Sequence, residues 1–118
     1  MKLLIVDDSL IIRRSIERTF SSPAFKEVRT AGDGMRALAE FRDFLPDIVT
    51  LDITMPHLDG IATLEEMLSI KPEAKIMIVS ALADDATAIE ALTKGAEQFI
   101  CKPFTNEELT QALEEMIA

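Results

Sequence analysis

Short apolar runs recur along the chain at Leu3 to Val6, Ile48 to Leu51, Ile76 to Val79 and Phe99 to Cys101. None alternates apolar with polar, so each reads as a strand covered on both faces. Lys26 to Thr30 is more polar and predicts a strand at a sheet edge. Helical periodicity fills the gaps. Ser9 predicts an N-cap for a helix reaching about Phe20, with Arg13, Arg14, Glu17 and Arg18 on its wet side and Ser21-Ser22-Pro23 as its stop. The turn Ala31-Gly32-Asp33-Gly34 starts a second helix bearing Met35, Leu38, Phe41 and Leu45, which Pro46 ends. A third helix follows Asp59-Gly60, with Ile61, Leu64, Met67 and Leu68 as its stripe and Lys71-Pro72 as its stop. Asp84 or Asp85 can cap a fourth, carrying Ala88, Ile89 and Leu92, with Gly95 at its C-terminal turn. Thr105 and Glu108 form a capping box for the fifth, on which Leu109, Ala112, Leu113, Met116 and Ile117 share a face.

Strand and helix therefore alternate five times, which predicts an α/β fold with a parallel sheet, right-handed crossovers and helices on both faces. In such a sheet the strands' carboxyl ends lie on one side, where ligands bind. Asp7 and Asp8 end the first strand, Asp52 the third, Ser80 the fourth, and Lys102 follows the fifth. These side chains are expected to meet.

Composition narrows the setting. The 118 residues suit one domain, no apolar run approaches a membrane span, and Met1 to Val6 is too short for a signal peptide. A cytoplasmic protein is the expectation. The formal net charge of -9 disfavours nucleic acid and anionic membranes and favours protein or cation partners. Cys101, the single cysteine, reads as a small buried hydrophobe, and Met35, Met67, Met77 and Met116 read as core. His57, the one histidine, sits in a loop after Pro56 and reads as an exposed loop residue.

Three carboxylates in one crevice need a cation, since two unit charges ~4 Å apart repel by about 4 kcal/mol at an effective dielectric near 20. Carboxylates without His or Cys suit a hard ion, and Mg²⁺ shared with phosphate oxygens fits. Lys102 and Ser80 supply the donors that a phosphoryl group wants, and Asp52 can act as its nucleophile. Asp7-Asp8-Ser9 could instead only cap the first helix, but Ser9 can do that alone.

With these residues the chain resembles the receiver domain of two-component response regulators, above all the single-domain, CheY-like chemotaxis members. The resemblance rests on Val6-Asp7-Asp8 with Arg13-Arg14, Ala31-Gly32-Asp33-Gly34, Leu51-Asp52 with Met55-Pro56-His57-Leu58-Asp59-Gly60, Ser80-Ala81, and Lys102-Pro103-Phe104. It covers residues 1–118 as one receiver domain. It implies a doubly wound (βα)5 flavodoxin-like three-layer sandwich with sheet order 2-1-3-4-5. It implies a phosphoryl group on Asp52, taken from a histidine kinase, and Mg²⁺ held by Asp7, Asp8, Asp52 and the Thr54 main-chain carbonyl. Ser80 would engage the phosphoryl oxygen and Lys102 its charge. Phe99 stands at the switch-aromatic position, with an inward bias expected even before phosphorylation, and a cis Lys102–Pro103 bond is implied. The signal would leave through the face of helix four, strand five and helix five to a downstream protein. No output domain follows in this sequence, and a monomer is expected. Thr54 and Leu82 would set how fast water removes the phosphoryl group, and the apolar Leu82 implies slow loss. The alternative is a Mg²⁺-dependent phosphohydrolase of haloacid-dehalogenase type, although that chemistry wants an Asp where Thr54 stands.

Overall fold

The computed structural model describes residues 1–21, 23–55, 58–81 and 85–117. Five strands and five helices alternate: β1 (Lys2–Val6), α1 (Leu10–Thr19), β2 (Glu27–Ala31), α2 (Gly34–Phe44), β3 (Ile48–Asp52), α3 (Gly60–Ile70), β4 (Lys75–Ser80), α4 (Asp85–Thr93), β5 (Gln98–Cys101) and α5 (Asn106–Ile117). The sheet is parallel, in the order β2-β1-β3-β4-β5. The parallel α/β fold expected from the pattern is observed, with the flavodoxin-like strand order that the resemblance implies.

Every residue of β3 is buried, as the continuous run Ile48 to Leu51 requires of a central strand. β2, at one edge, buries only Ala31. The two sheet faces carry separate cores. Leu4, Val6, Val49, Leu51, Ile76 and Ile78 pack against α2, α3 and α4. Leu3, Ile5, Ile48, Met77 and Val79 pack against α1 and α5. Adjacent residues of one strand thus serve opposite layers, which is why no strand alternates in polarity.

The predicted caps are present. Ser9 Oγ accepts the Ile12 N–H at 3.3 Å, Asp33 caps α2, and Asp59 caps α3 through the Ala62 N–H at 3.0 Å. The Glu108 N–H donates to Thr105 Oγ1 at 3.1 Å, the first half of the capping box. α4 closes through Gly95, at φ 112°, with Gly95 N–H on the Leu92 carbonyl and Ala96 N–H on that of Ala91. Asp84, the other candidate cap of α4, lies outside the described residues, as do His57 and Leu82.

Six side-chain placements correct the sequence reading, and one of them is Cys101, which is only partly buried. Met35 is 87% exposed rather than core. The buried face of α2 is Ala37, Phe41 and Phe44, and Met35 lies two positions before Ala37, about 200° away around the helix. Leu45 does not continue the stripe either; it is the C-cap, left-handed at φ 49°, and turns outward. On α4 only Ala91 is buried, while Ile89 and Leu92, expected to face inward, are exposed at 64% and 47%. Ile117, in the last turn of α5, is also exposed. Met67, Met77 and Met116 are buried as expected.

Candidate functional site

β1 and β3 are neighbours in the sheet, but the chain leaves β1 toward β2 and leaves β3 toward β4. Their carboxyl ends therefore open a crevice at the reversal of strand order. Asp7 follows β1 and stays in the ladder, donating its N–H to the Ala31 carbonyl at 3.1 Å. Asp52 is the last residue of β3, held in register with Val79 of β4. Carboxylate oxygens of Asp7, Asp8 and Asp52 all lie within 4.8 Å of one another. Asp7 and Asp52 are buried and Asp8 is exposed, so the cluster is open to solvent on one side.

Lys102 enters from beyond β5. Its Nζ lies 2.8 Å from Asp7 Oδ2 and 3.1 Å from Asp52 Oδ2. The Lys102–Pro103 bond is cis, as the resemblance implies, and the Lys102 N–H donates to the Ser80 carbonyl at 2.7 Å. Ser80 is fully buried at the end of β4, one residue beyond the partner of Asp52. The other oxygen of Asp52, Oδ1, accepts the Thr54 N–H at 2.8 Å and the Thr54 hydroxyl at 2.6 Å. Sequence reasoning had given Thr54 only a main-chain role at the metal and an influence on phosphoryl loss. The hydroxyl contact could have been anticipated from the Asx-type turn that a strand-end Asp favours.

Electrostatics follow the burial. Asp7 Oδ1 accepts the Ser9 N–H at 2.9 Å, but Oδ2 has no aligned hydrogen-bond donor among the described residues, only the nearby lysine charge. Burial pushes the Asp7 carboxyl above its ordinary value, and the Asp52 charge adds to this; the pull of Lys102 and of the Ser9 N–H does not cancel it. For Lys102, burial works against its charge, yet the adjacent Asp7 and Asp52 carboxylates prevail and raise its pKa. One lysine thus faces two buried acids. An under-satisfied carboxylate oxygen amid three converging acids, with no nitrogen or sulfur donor in the cluster, fits a hard divalent cation. The cluster is compatible with Mg²⁺.

Phe99 is half-buried on β5 and packs against the core on the α2, α3 and α4 side. Two residues near the crevice were given no role in the site by the sequence. Arg13 donates from Nη1 to the Asp7 carbonyl at 3.1 Å. Thr50, two residues before Asp52, is fully buried with no partner for its hydroxyl among the described residues; within a β-branched run it carries no signal of its own.

A doubly wound sheet with an acidic crevice, a lysine and a hydroxyl at its carboxyl edge defines a phosphoryl-handling α/β protein. The comparisons make the class specific. The model of the response regulator receiver domain matches residues 3–114. The chain is 40% identical over 114 residues to the chemotaxis protein CheY of Listeria monocytogenes, covering 97% of this chain and 96% of that protein. It is 38% identical over 112 residues to CheY of Thermotoga maritima, covering 95% and 93%. Among solved structures it superposes with TM-score 0.92 and 34% identity on a chain of the CheX-CheY-BeF3-Mg²⁺ complex from Borrelia burgdorferi, covering 100% of this chain and 90% of that one. The chain belongs to the response regulator receiver domain family and is similar over its described length to CheY-type members. It is a phosphoacceptor signalling switch of a two-component system, and the haloacid-dehalogenase alternative finds no support.

Proposed function

We propose that Asp52 is the phosphoacceptor and that residues 1–118 form a response regulator receiver domain. The observation that carries the reading is the state of the Asp52 carboxylate: buried, gripped on Oδ1 by Thr54 and on Oδ2 by Lys102, beside two further acids. In the transfer, an Asp52 oxygen attacks the phosphorus of a kinase phosphohistidine. The P–N bond breaks as the P–O bond forms, and the imidazole leaves and takes up a proton. Asp7, Asp8, Asp52 and the Thr54 main-chain carbonyl would hold Mg²⁺. The ion, when bound, supplies charge that shields the acids and the incoming phosphoryl oxygens. Lys102 neutralises the phosphoryl group and Ser80 hydrogen-bonds its oxygen.

Engagement of Ser80 draws its loop inward, and the Phe99 ring follows, with its half-buried position as the starting point. Output then passes through α4, β5 and α5, where Ile89 and Leu92 are exposed, to a downstream protein. The switch works as a monomer in the cytoplasm, and no helix among the described residues is long and apolar enough to cross a membrane. It catalyses only its own phosphorylation and dephosphorylation, the latter slowly because Leu82 cannot orient water. Incubation with Mg²⁺ and a small phosphodonor, followed by mass mapping, should put one phosphoryl group on Asp52. Continued release of phosphate over many turnovers, or labelling that survives Asp52→Asn, would overturn the assignment.

A further inference from the structure

Arg13 is a second cation beside the crevice, and phosphoryl transfer gives it no task. It sits in the first half of α1, half-buried, and makes no ion pair among the described residues although the chain has 21 acidic side chains. Its guanidinium is spent on the main chain, with Nη1 donating to the Asp7 carbonyl at 3.1 Å. The same Nη1 fills the space over Gly32, where a Cβ would come within 2.5 Å of it. Gly32 directly follows Ala31, whose carbonyl accepts the Asp7 N–H. The Asp7 N–H is thus held by β2 and its carbonyl by Arg13, whose Nη1 lies over Gly32 of the following loop. The turn below is tied by main-chain bonds independent of the arginine side chain: the Arg13 N–H donates to the Ser9 carbonyl at 3.0 Å and the Ser9 N–H to Asp7 Oδ1.

We propose that Arg13, seated on Gly32, is a positioning residue for the divalent cation: it fixes the β1–α1 turn so that Asp7 and Asp8 present their oxygens to a common point. A guanidinium suits this place better than an ammonium, since its rigid fork seats one nitrogen end-on over Gly32 while that nitrogen donates to the Asp7 carbonyl. The inference rests on reading the acidic pocket as a Mg²⁺ site. Its consequence is that the β2–α2 loop, which holds no metal ligand, sets metal affinity.

The test is calorimetric titration of Mg²⁺ into the wild type, Arg13→Met, Arg13→Lys, Gly32→Ala and the Arg13→Met/Gly32→Ala double variant. Circular dichroism establishes that each is folded at the titration temperature. Outer partners of metal ligands typically govern affinity by about 10- to 100-fold, and the lower end is expected for Arg13→Met. Gly32→Ala should give a similar loss by displacing the guanidinium. The double variant should bind no more weakly than the worse single one, because both remove the same contact. Arg13→Lys should recover part of the loss. Unchanged affinity in Arg13→Met, or multiplied losses in the double variant, would overturn the role of Arg13 while leaving the metal site intact. A wild type that takes up no Mg²⁺ would overturn the metal reading itself, and this inference with it.

Discussion

In the absence of a metal, Lys102 is the cation of the acidic pocket, so replacing it should free the pocket for Mg²⁺. At an effective dielectric near 20, its separations of 2.8 Å and 3.1 Å from Asp7 and Asp52 correspond to gross attractions of about 6 and about 5 kcal/mol. Desolvation of the three groups and Asp7–Asp52 repulsion cancel most of this, as the raised pKa of Asp7 shows. Leaving two buried acids without their lysine should cost the metal-free protein about 3 kcal/mol in Lys102→Met. The same uncompensated charge should draw Mg²⁺ more strongly, since no ammonium has to be displaced. A net preference of ~1.5 to 3 kcal/mol corresponds to about 10- to 100-fold tighter binding. Because Lys102 titrates above its ordinary value, it stays charged, and its stabilisation is fully present below the unfolded-state value near 10.4 and fades only as pH rises past the folded one. The wild-type competition should therefore be flat from about pH 7 to 9. The chain has no Trp or Tyr, so calorimetry measures binding, and urea unfolding followed by circular dichroism measures stability with and without Mg²⁺. The stability deficit of Lys102→Met should shrink as Mg²⁺ saturates, by linkage. Equal or weaker Mg²⁺ affinity in the variant would refute the reasoning, because it would mean that the lysine assists the ion rather than competing with it.

Other residues give independent tests. Asp7→Asn should raise the urea-unfolding free energy of the metal-free protein by about 1 to 2 kcal/mol, because burial makes the Asp7 charge costly, and it should remove the stabilisation that Mg²⁺ confers; a destabilised variant would contradict this. For the native protein the raised Asp7 pKa means that this penalty is relieved on acidification, as pH falls through the folded value toward the unfolded one near 3.9. Asp47 behaves oppositely: its carboxyl is held below the ordinary value first by the Lys2 main-chain N–H at 2.8 Å and then by Lys71. Its contribution is present above about pH 4 and lost as pH falls through the folded value, and with the side chain 45% exposed it is worth about 1 kcal/mol or less. Asp47→Asn should flatten part of the acid limb of stability, and an unchanged acid profile would rule this out. Thr50→Val should stabilise the fold by about 1 kcal/mol, since the buried hydroxyl it replaces has no partner among the described residues; a lower melting point would show that the hydroxyl is satisfied.

The fold was legible because the strands are short, uniformly apolar and separated by capped helices, and each of these signals depends on local physics alone. Ser9, Asp33, Asp59 and the Thr105–Glu108 pair stand where orphan N–H groups need acceptors, so helix starts could be placed to within a residue or two. Convergence of Asp7, Asp8 and Asp52 followed from topology, because parallel strands put their carboxyl ends together. Rotation about a helix axis was less legible. One residue of displacement turns a stripe by 100°, and in α2 both Met35-Leu38-Phe41-Leu45 and Ala37-Phe41-Phe44 are plausible apolar faces; only packing on the sheet selects the second. On α4 the small Ala91 meets the body of the protein, leaving the larger Ile89 and Leu92 outside, a choice that hydrophobicity alone would reverse.

Arg13 shows why the remainder of the site lay beyond periodicity. Its place on the helical wheel is the wet side, and on that count it belongs with Arg14 and Arg18. What distinguishes it is an absent atom on another element: Gly32 has no Cβ, so the guanidinium can lie against the β2–α2 loop and reach the Asp7 carbonyl. The glycine reads in sequence as a turn residue, and the arginine as a surface charge. Only the register of β1 with β2, which pairs Val6 with Ala31, brings the two together. The acids that define the pocket are thus fixed in place by a pairing of neighbouring strands, and a substitution in the β2–α2 loop can reach the metal ligands without touching any of them.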